Sequence, residues 1–166
     1  MNNKSSIAIV LNGLYVGGAE KFGISVANKF VDNGFKTSII LFKKVDSPLQ
    51  EQIDSRIEII FIERKSKYYF IKHKQFEKEI SKRNITKVFI VGLLPVLLTR
   101  FLSFKRNRDV SYFISLHSSI PPTLKFYLDN LFCLFFTHKT DKVIYVCKNQ
   151  RTIWQSTYLL TLKTMK

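Results

Sequence analysis

A chain of 166 residues, 46% of them hydrophobic, has material for one core of ordinary size and is short for two independent domains. Its 15 phenylalanines and 7 tyrosines exclude a disordered chain, because that much apolar surface offsets the entropy of ordering the backbone. A net charge of +15, from 27 Lys+Arg against 12 Asp+Glu, implies an anionic partner, whether nucleic acid, anionic lipid or a phosphorylated or nucleotide substrate.

The basic residues are scattered or in short clusters, such as Lys43-Lys44, Arg64-Lys65 with Lys67, and Lys105-Arg106 with Arg108, which suits a broadly positive folded surface. Cys133 and Cys147 have neither metal-ligand spacing nor a paired framework, and a reducing cytosol suits them. Residues 1–6 are polar and run straight into a short apolar stretch, so no secretory signal is expected and the expected location is cytoplasmic. The most apolar region, 88–104, is interrupted by Gly92, Pro95, Thr99 and Arg100 and is shorter than the ~20 residues a membrane-spanning helix needs.

Residues 7–11 form a continuous apolar run, the pattern of a parallel strand covered on both faces. A loop over 12–18 carries three glycines. From Ala19 the apolar positions Ala19, Phe22, Gly23, Val26, Ala27, Phe30 and Val31 recur at helical spacing, and Asn33-Gly34 supplies a left-handed cap. Residues 37–42 form a second strand, which makes the opening a strand, glycine loop, helix, strand unit.

The pattern continues with a strand at 57–62, a basic amphipathic segment from about 68 to 82, a strand at 88–91 and a helix at 94–104. A strand at 110–116, an aromatic helix at 122–137, a strand at 143–146 and a helix near Asn149 complete it. Strands alternating with helices predict an α/β fold, a Rossmann-like doubly wound parallel sheet in three α/β/α layers. The domain is expected over 1–154, with 155–166 as an irregular or truncated tail.

In an open α/β sheet, ligands bind beyond the carboxyl ends of the strands. That rule selects 12–20, 92–95, 117–119 and 147–150. Adjacent glycines at 17 and 18 let backbone amides approach an anion or a sugar hydroxyl at a helix N-terminus. The same glycines also suit a plain tight turn, and their spacing fits both readings. The dinucleotide pattern G-x-G-x-x-G is not met, and Lys43-Lys44 stands where its acid belongs, so a nicotinamide cofactor is not expected. His117, beside Ser115, Ser118 and Ser119 at a strand end, is the candidate catalytic residue. Asn12, Tyr15, Ser118 and Ser119 are the candidate substrate contacts. His73 and His138 fall in basic helical stretches, and no pair of histidines has metal-ligand spacing.

The run Gly17-Gly18-Ala19-Glu20-Lys21-Phe22, just after the first strand and before a helix ending Asn33-Gly34-Phe35-Lys36-Thr37, resembles the N-terminal domain of the subfamily-4-like GT-B glycosyltransferases. A strand ending in His117 and the strand Val143-Ile144-Tyr145-Val146 match in order, so the resemblance covers nearly everything up to Trp154. It implies a single GT-B half-domain, and retaining transfer of a hexose from a nucleotide-sugar to a glycan or lipid-linked acceptor, in a cleft between two Rossmann-like domains. It implies that the amides of Gly17 and Gly18 face the donor diphosphate, that Glu20 caps or orients the loop, and that His117 faces the reacting sugar or acceptor. No cofactor is implied beyond the nucleotide-sugar itself, which is a substrate.

Cys147 followed by Lys148 departs from the family, which commonly has a serine there. The family's second domain carries the nucleotide site, the basic residues that neutralise the diphosphate and a pair of glutamates, none of which fits after Lys148. Stabilising the departing diphosphate is typically the largest catalytic contribution, so the chain is expected to be inactive alone and to need a separate donor-binding domain.

A non-catalytic anchoring or acceptor-binding subunit of a split glycosyltransferase is the alternative. Residues 65–82 either lie on an anionic membrane surface, at about 1 kcal/mol per basic residue, or pack their aromatics on the sheet as an ordinary surface helix. Nucleic acid is not an expected partner, because no recognised module is present and the aromatics follow core spacing.

Overall fold

The apolar runs become six strands in the computed structural model, which describes residues 5–63, 70–100, 109–117, 127, 128, 131 and 142–158. These are β1 (Ser6–Leu11), β2 (Lys36–Leu41), β3 (Glu58–Phe61), β4 (Ile85–Val91), β5 (Ser111–Leu116) and β6 (Lys142–Tyr145). The helices are α1 (Gly18–Asp32), α2 (Phe70–Lys82), α3 (Leu93–Arg100) and α4 (Lys148–Tyr158). The sheet runs in the order β3-β2-β1-β4-β5-β6 with every neighbouring pair parallel, so all carboxyl ends share one edge. Strand β1 lies between β2 and β4, with Ile9 level with Ile39 on one side and Phe89 on the other. The β1/β4 boundary is where the strand order reverses, and a crevice opens at such a point.

Alternation along the strands divides the core in two. One face sets Ile7, Ile9, Leu11, Ile39 and Leu41 against Ile24, Ala27 and Val31 of α1. The other sets Ala8, Val10, Ile40, Val88, Ile90 and Ile114 against Phe76 and Ile80 of α2, Val96 and Leu98 of α3, and Trp154 of α4. The result is the three-layer, Rossmann-like α/β arrangement expected from the sequence.

Several boundaries differ for identifiable reasons. Strand β4 starts three residues before the expected position, because Asn84 adopts a left-handed φ of 51° that ends the preceding turn, while Lys87 interrupts the apolar run that marks the strand in the sequence. Helix α3 begins at Leu93, which places Pro95 in the first turn, where a missing N–H is tolerated. A short 3-10 helix, Pro48–Gln52, was not foreseen; Ser47 Oγ accepts the Leu49 amide at 3.2 Å and Leu49 is buried beneath it. Helix α4 runs on to Tyr158, past the boundary placed at 154. The aromatic helix expected over 122–137 falls largely outside the described residues.

Helix α2 packs Phe76 and Ile80 into the core, at 0% and 1% exposure, and leaves Lys74, Gln75 and Lys78 exposed. Its described part is therefore a surface helix on the sheet. Arg83, just beyond it, pairs with Glu58 at 2.7 Å and with Glu79, tying the end of α2 to the start of edge strand β3. The hydrogen bonds from Arg83 hold the Glu58 carboxyl below its ordinary pKa, with burial opposing and nearby positive charge assisting.

Helix α1 lies close on the sheet because of Gly23. A Cβ there would stand 2.9 Å from Leu11 Cδ2 and 3.4 Å from Val91 Cγ2, so a larger residue forces the packed Leu11 side chain or the helix to shift. At the far end, the Phe35 amide reaches the Phe30 carbonyl at 3.0 Å over Gly34, whose φ is 77°, and closes the helix as the Asn-Gly pair predicts. Gly23→Val is expected to lower the unfolding free energy by about 1–3 kcal/mol in urea titrations. Wild-type stability in that variant would contradict the close approach.

Candidate functional site

Because the strands are parallel, the loops after β1, β4, β5 and β6 rise from one rim. The first begins at Asn12, whose carbonyl accepts the Phe42 amide at 3.2 Å and extends the β1–β2 ladder. Asn12 thus serves the backbone at the rim, and its side chain is half-buried. Leu14 turns into the core, while Tyr15 is 36% and Val16 69% exposed. The ammonium of Lys43 lies 5.5 Å from the Tyr15 ring centroid, a cation–π distance that anchors the loop on the β2 end.

The paired glycines differ from each other. Gly17 is the extended N-cap of α1, with φ −149°, and its side chain-free flank is occupied: a Cβ would meet Glu20 Oε2 at 2.6 Å. Glu20 is the third helical residue, where a carboxylate can reach back over the cap and where the helix dipole favours it. Around Gly18, a Cβ would meet nothing within 4 Å. The space where a side chain would stand is therefore open at Gly18 and taken by the Glu20 carboxylate at Gly17.

His117 ends β5 on the same rim, and the fold brings it to α1. Its ring lies 5.0 Å from that of Phe22, tilted by 58°, and Phe22 in turn lies 6.2 Å from Phe89. Ser115 Oγ is 3.0 Å from His117 Nε2. Burial holds the imidazole below its ordinary pKa of 6.5, favouring the neutral ring. Ser118 and Ser119 lie outside the described residues. Phe22 was legible only as a core position of α1; no local pattern signals its contact with a histidine distant in the chain.

Two more rim features complete the picture. Gly92, between β4 and α3, has φ 83°, a conformation that favours glycine, and its amide donates to the Ser115 carbonyl at 2.9 Å. Cys147 performs a capping role for α4: its Sγ accepts the Gln150 amide at 3.4 Å, and Gln150 Oε1 accepts the Val146 amide at 2.7 Å. This reciprocal pair is the thiol counterpart of a capping box, with Gln150 buried beneath it.

A shallow groove of about 360 Å³ runs along α1 beside the 3-10 helix, away from these residues. Asn28 spans it structurally, donating to the Gln52 carbonyl at 2.8 Å and accepting the Asp54 amide at 3.1 Å, so the groove does not define the site. Among the described residues no group of three or more His, Cys, Asp or Glu is placed to hold a metal ion. Among them, too, no helix is long and apolar enough to cross a membrane.

The fold is a Rossmann-like α/β domain, and solved structures of glycosyltransferases share it. A glycosyltransferase from Rickettsia africae ESF-5 superposes with a TM-score of 0.67 at 22% identity, over 98% of this chain and 42% of its own. The apo form of the lipopolysaccharide outer core galactosyltransferase WaaB gives a TM-score of 0.64 at 14% identity, over 97% of this chain and 44% of its own. What is shared at such identities is the fold, and the chain spans less than half the length of either protein. No protein-family model and no curated protein sequence matches it.

The depressed pKa of His117 has a definite sign. The unfolded chain binds the proton more readily, so this contribution to stability is complete above the ordinary value of 6.5 and is lost as pH falls through the lowered folded value. Wild-type unfolding free energy is expected to fall more than that of His117→Gln between about pH 7.5 and 5. Parallel curves for the two proteins would contradict a buried neutral ring. At the α4 cap, Cys147→Ser should preserve stability and Cys147→Ala should cost about 0.5–1 kcal/mol in the same assay.

Proposed function

We propose that these 166 residues form the acceptor-side half of a retaining glycosyltransferase that moves a hexose from a nucleotide-sugar to a glycan or lipid-linked acceptor. The observation that carries this reading is the unobstructed Gly18 at the N-terminus of α1, on the same rim as His117 and joined to it through Phe22. Unhindered amides at a helix N-terminus suit a diphosphate oxygen. A neutral histidine at the next crest suits sugar chemistry.

In this proposal Gly17 and Gly18 face the donor diphosphate, Glu20 orders their loop, and Tyr15, Asn12, Ser118 and Ser119 border the substrate. His117 contacts the reacting sugar or acceptor. The nucleotide-sugar is a substrate, and no further cofactor is invoked. Turnover requires a donor-binding domain, on this polypeptide or another, to neutralise the leaving diphosphate. The chain's coverage of 42% and 44% of the two glycosyltransferases supports that requirement. The proposed setting is the cytoplasm, at the inner face of a membrane, where exposed lysines such as Lys43, Lys44, Lys74 and Lys78 meet anionic headgroups without inserting.

Gly18→Val tests the loop, because the open space around Gly18 accepts a side chain without a clash in the fold. Its stability should stay within about 0.5 kcal/mol of wild type. Calorimetric titration with UDP-, GDP- and ADP-glucose, with the donor-binding half supplied separately, should show binding weakened at least about tenfold, or 1.4 kcal/mol, in the variant. Equal heats for both proteins would make the glycines a mere turn. The purified chain alone should transfer no sugar, and time-dependent transfer by it would overturn the requirement for a second domain.

A further inference from the structure

Ser115 is fully buried, at 0% exposure, and is held at both ends. Its carbonyl accepts the Gly92 amide at 2.9 Å, and its hydroxyl sits 3.0 Å from His117 Nε2. A neutral imidazole offers one donor and one acceptor, so two arrangements are compatible with that contact. If Nε2–H donates to Oγ, the serine's own proton needs another acceptor, and the hydroxyl makes no second hydrogen bond among the described residues. That arrangement strands a buried donor. If Ser115 donates to Nε2, nothing at the serine is left unpaired and the ring proton resides on Nδ1. The Phe22 ring, 5.0 Å away, flanks the imidazole and opposes its turning over.

We propose that Ser115 is a positioning residue that holds His117 in its Nδ1–H tautomer, so that the histidine meets a bound oxygen as a hydrogen-bond donor rather than as a base. This rests on His117 facing ligand, as proposed above, and it assigns that contact a chemistry: an oxygen with a free lone pair is accepted, and a group that must itself donate is refused. Proton abstraction from an acceptor hydroxyl then falls to another group. His117 instead orients a sugar or phosphate oxygen.

Nitrogen NMR of the chain labelled in its 3 histidines tests the tautomer without any ligand. His117→Gln assigns the His117 signals, and spectra are taken above the ordinary histidine pKa of 6.5, where the ring is neutral. The expected wild-type signature is a protonated Nδ1 and an unprotonated Nε2. Ser115→Ala should switch His117 to the Nε2–H form that an unconstrained imidazole favours, with the amide spectrum still dispersed, and Ser115→Thr should restore Nδ1–H. A wild-type Nε2–H signature, or an unchanged tautomer in folded Ser115→Ala, overturns the proposal. With the donor-binding half supplied, UDP and glucose are then added in separate arms, and movement of the Nδ1–H signal with one of them identifies phosphate or sugar as the source of the oxygen. Movement with neither, the tautomer being intact, removes the ligand-facing role while leaving the Ser115 device in place, and so separates the two failures.

Discussion

The close approach of α1 to β1 at Gly23 is the contact on which the rim depends. With 2.9 Å between the absent Cβ and Leu11 Cδ2, the helix lies against the sheet at a depth that a larger residue would reach only by shifting Leu11 or the helix. That depth carries Phe22, one residue earlier, down to Phe89 and across to His117. It also sets the first turn of the helix, with Gly18 and Glu20, at the level of the strand ends. Interiors packed at crystal-like density transmit such displacements, so a shift of α1 would be felt at the histidine.

The residues at the rim come from four separate stretches of chain, and only the parallel sheet makes them neighbours. Each strand contributes a different service. The loop after β1 offers an open glycine, the turn after β4 supplies the left-handed Gly92 that supports Ser115, the end of β5 presents the histidine, and the turn after β6 caps α4 through a thiol. Three of the four glycines in this region, Gly17, Gly18 and Gly92, are not interchangeable. Gly92 answers a backbone torsion, Gly17 makes room for a carboxylate and Gly18 faces empty space.

Much of this was legible in the sequence where the signal is local. The apolar runs of β1 and β2, the helical spacing from Ala19 to Val31 and the Asn33-Gly34 stop all carry their structure in adjacent residues, and the parallel α/β sheet follows from the alternation of elements. The 3-10 helix was missed because Pro48 and Ser47 read equally well as loop. The site was legible in outline only. Gly17, Gly18 and His117 are marked by position and Ser115 lies two residues before the histidine, whereas the Phe22–His117 contact arises between elements remote in the chain and leaves no pattern along it.

Charge is distributed with the same economy. Both described ion-pair clusters, Arg56 with Asp32 and Asp54, and Arg83 with Glu58 and Glu79, gather where the strands begin, opposite the rim. Arg83 joins the crossover helix to the outermost strand. Glu58 contributes to that fastening above its ordinary pKa of 4.5 and surrenders the contribution as acid carries it through the lowered native value. Acid therefore attacks this clasp from behind, loosening the last turn of the crossover helix from the edge strand.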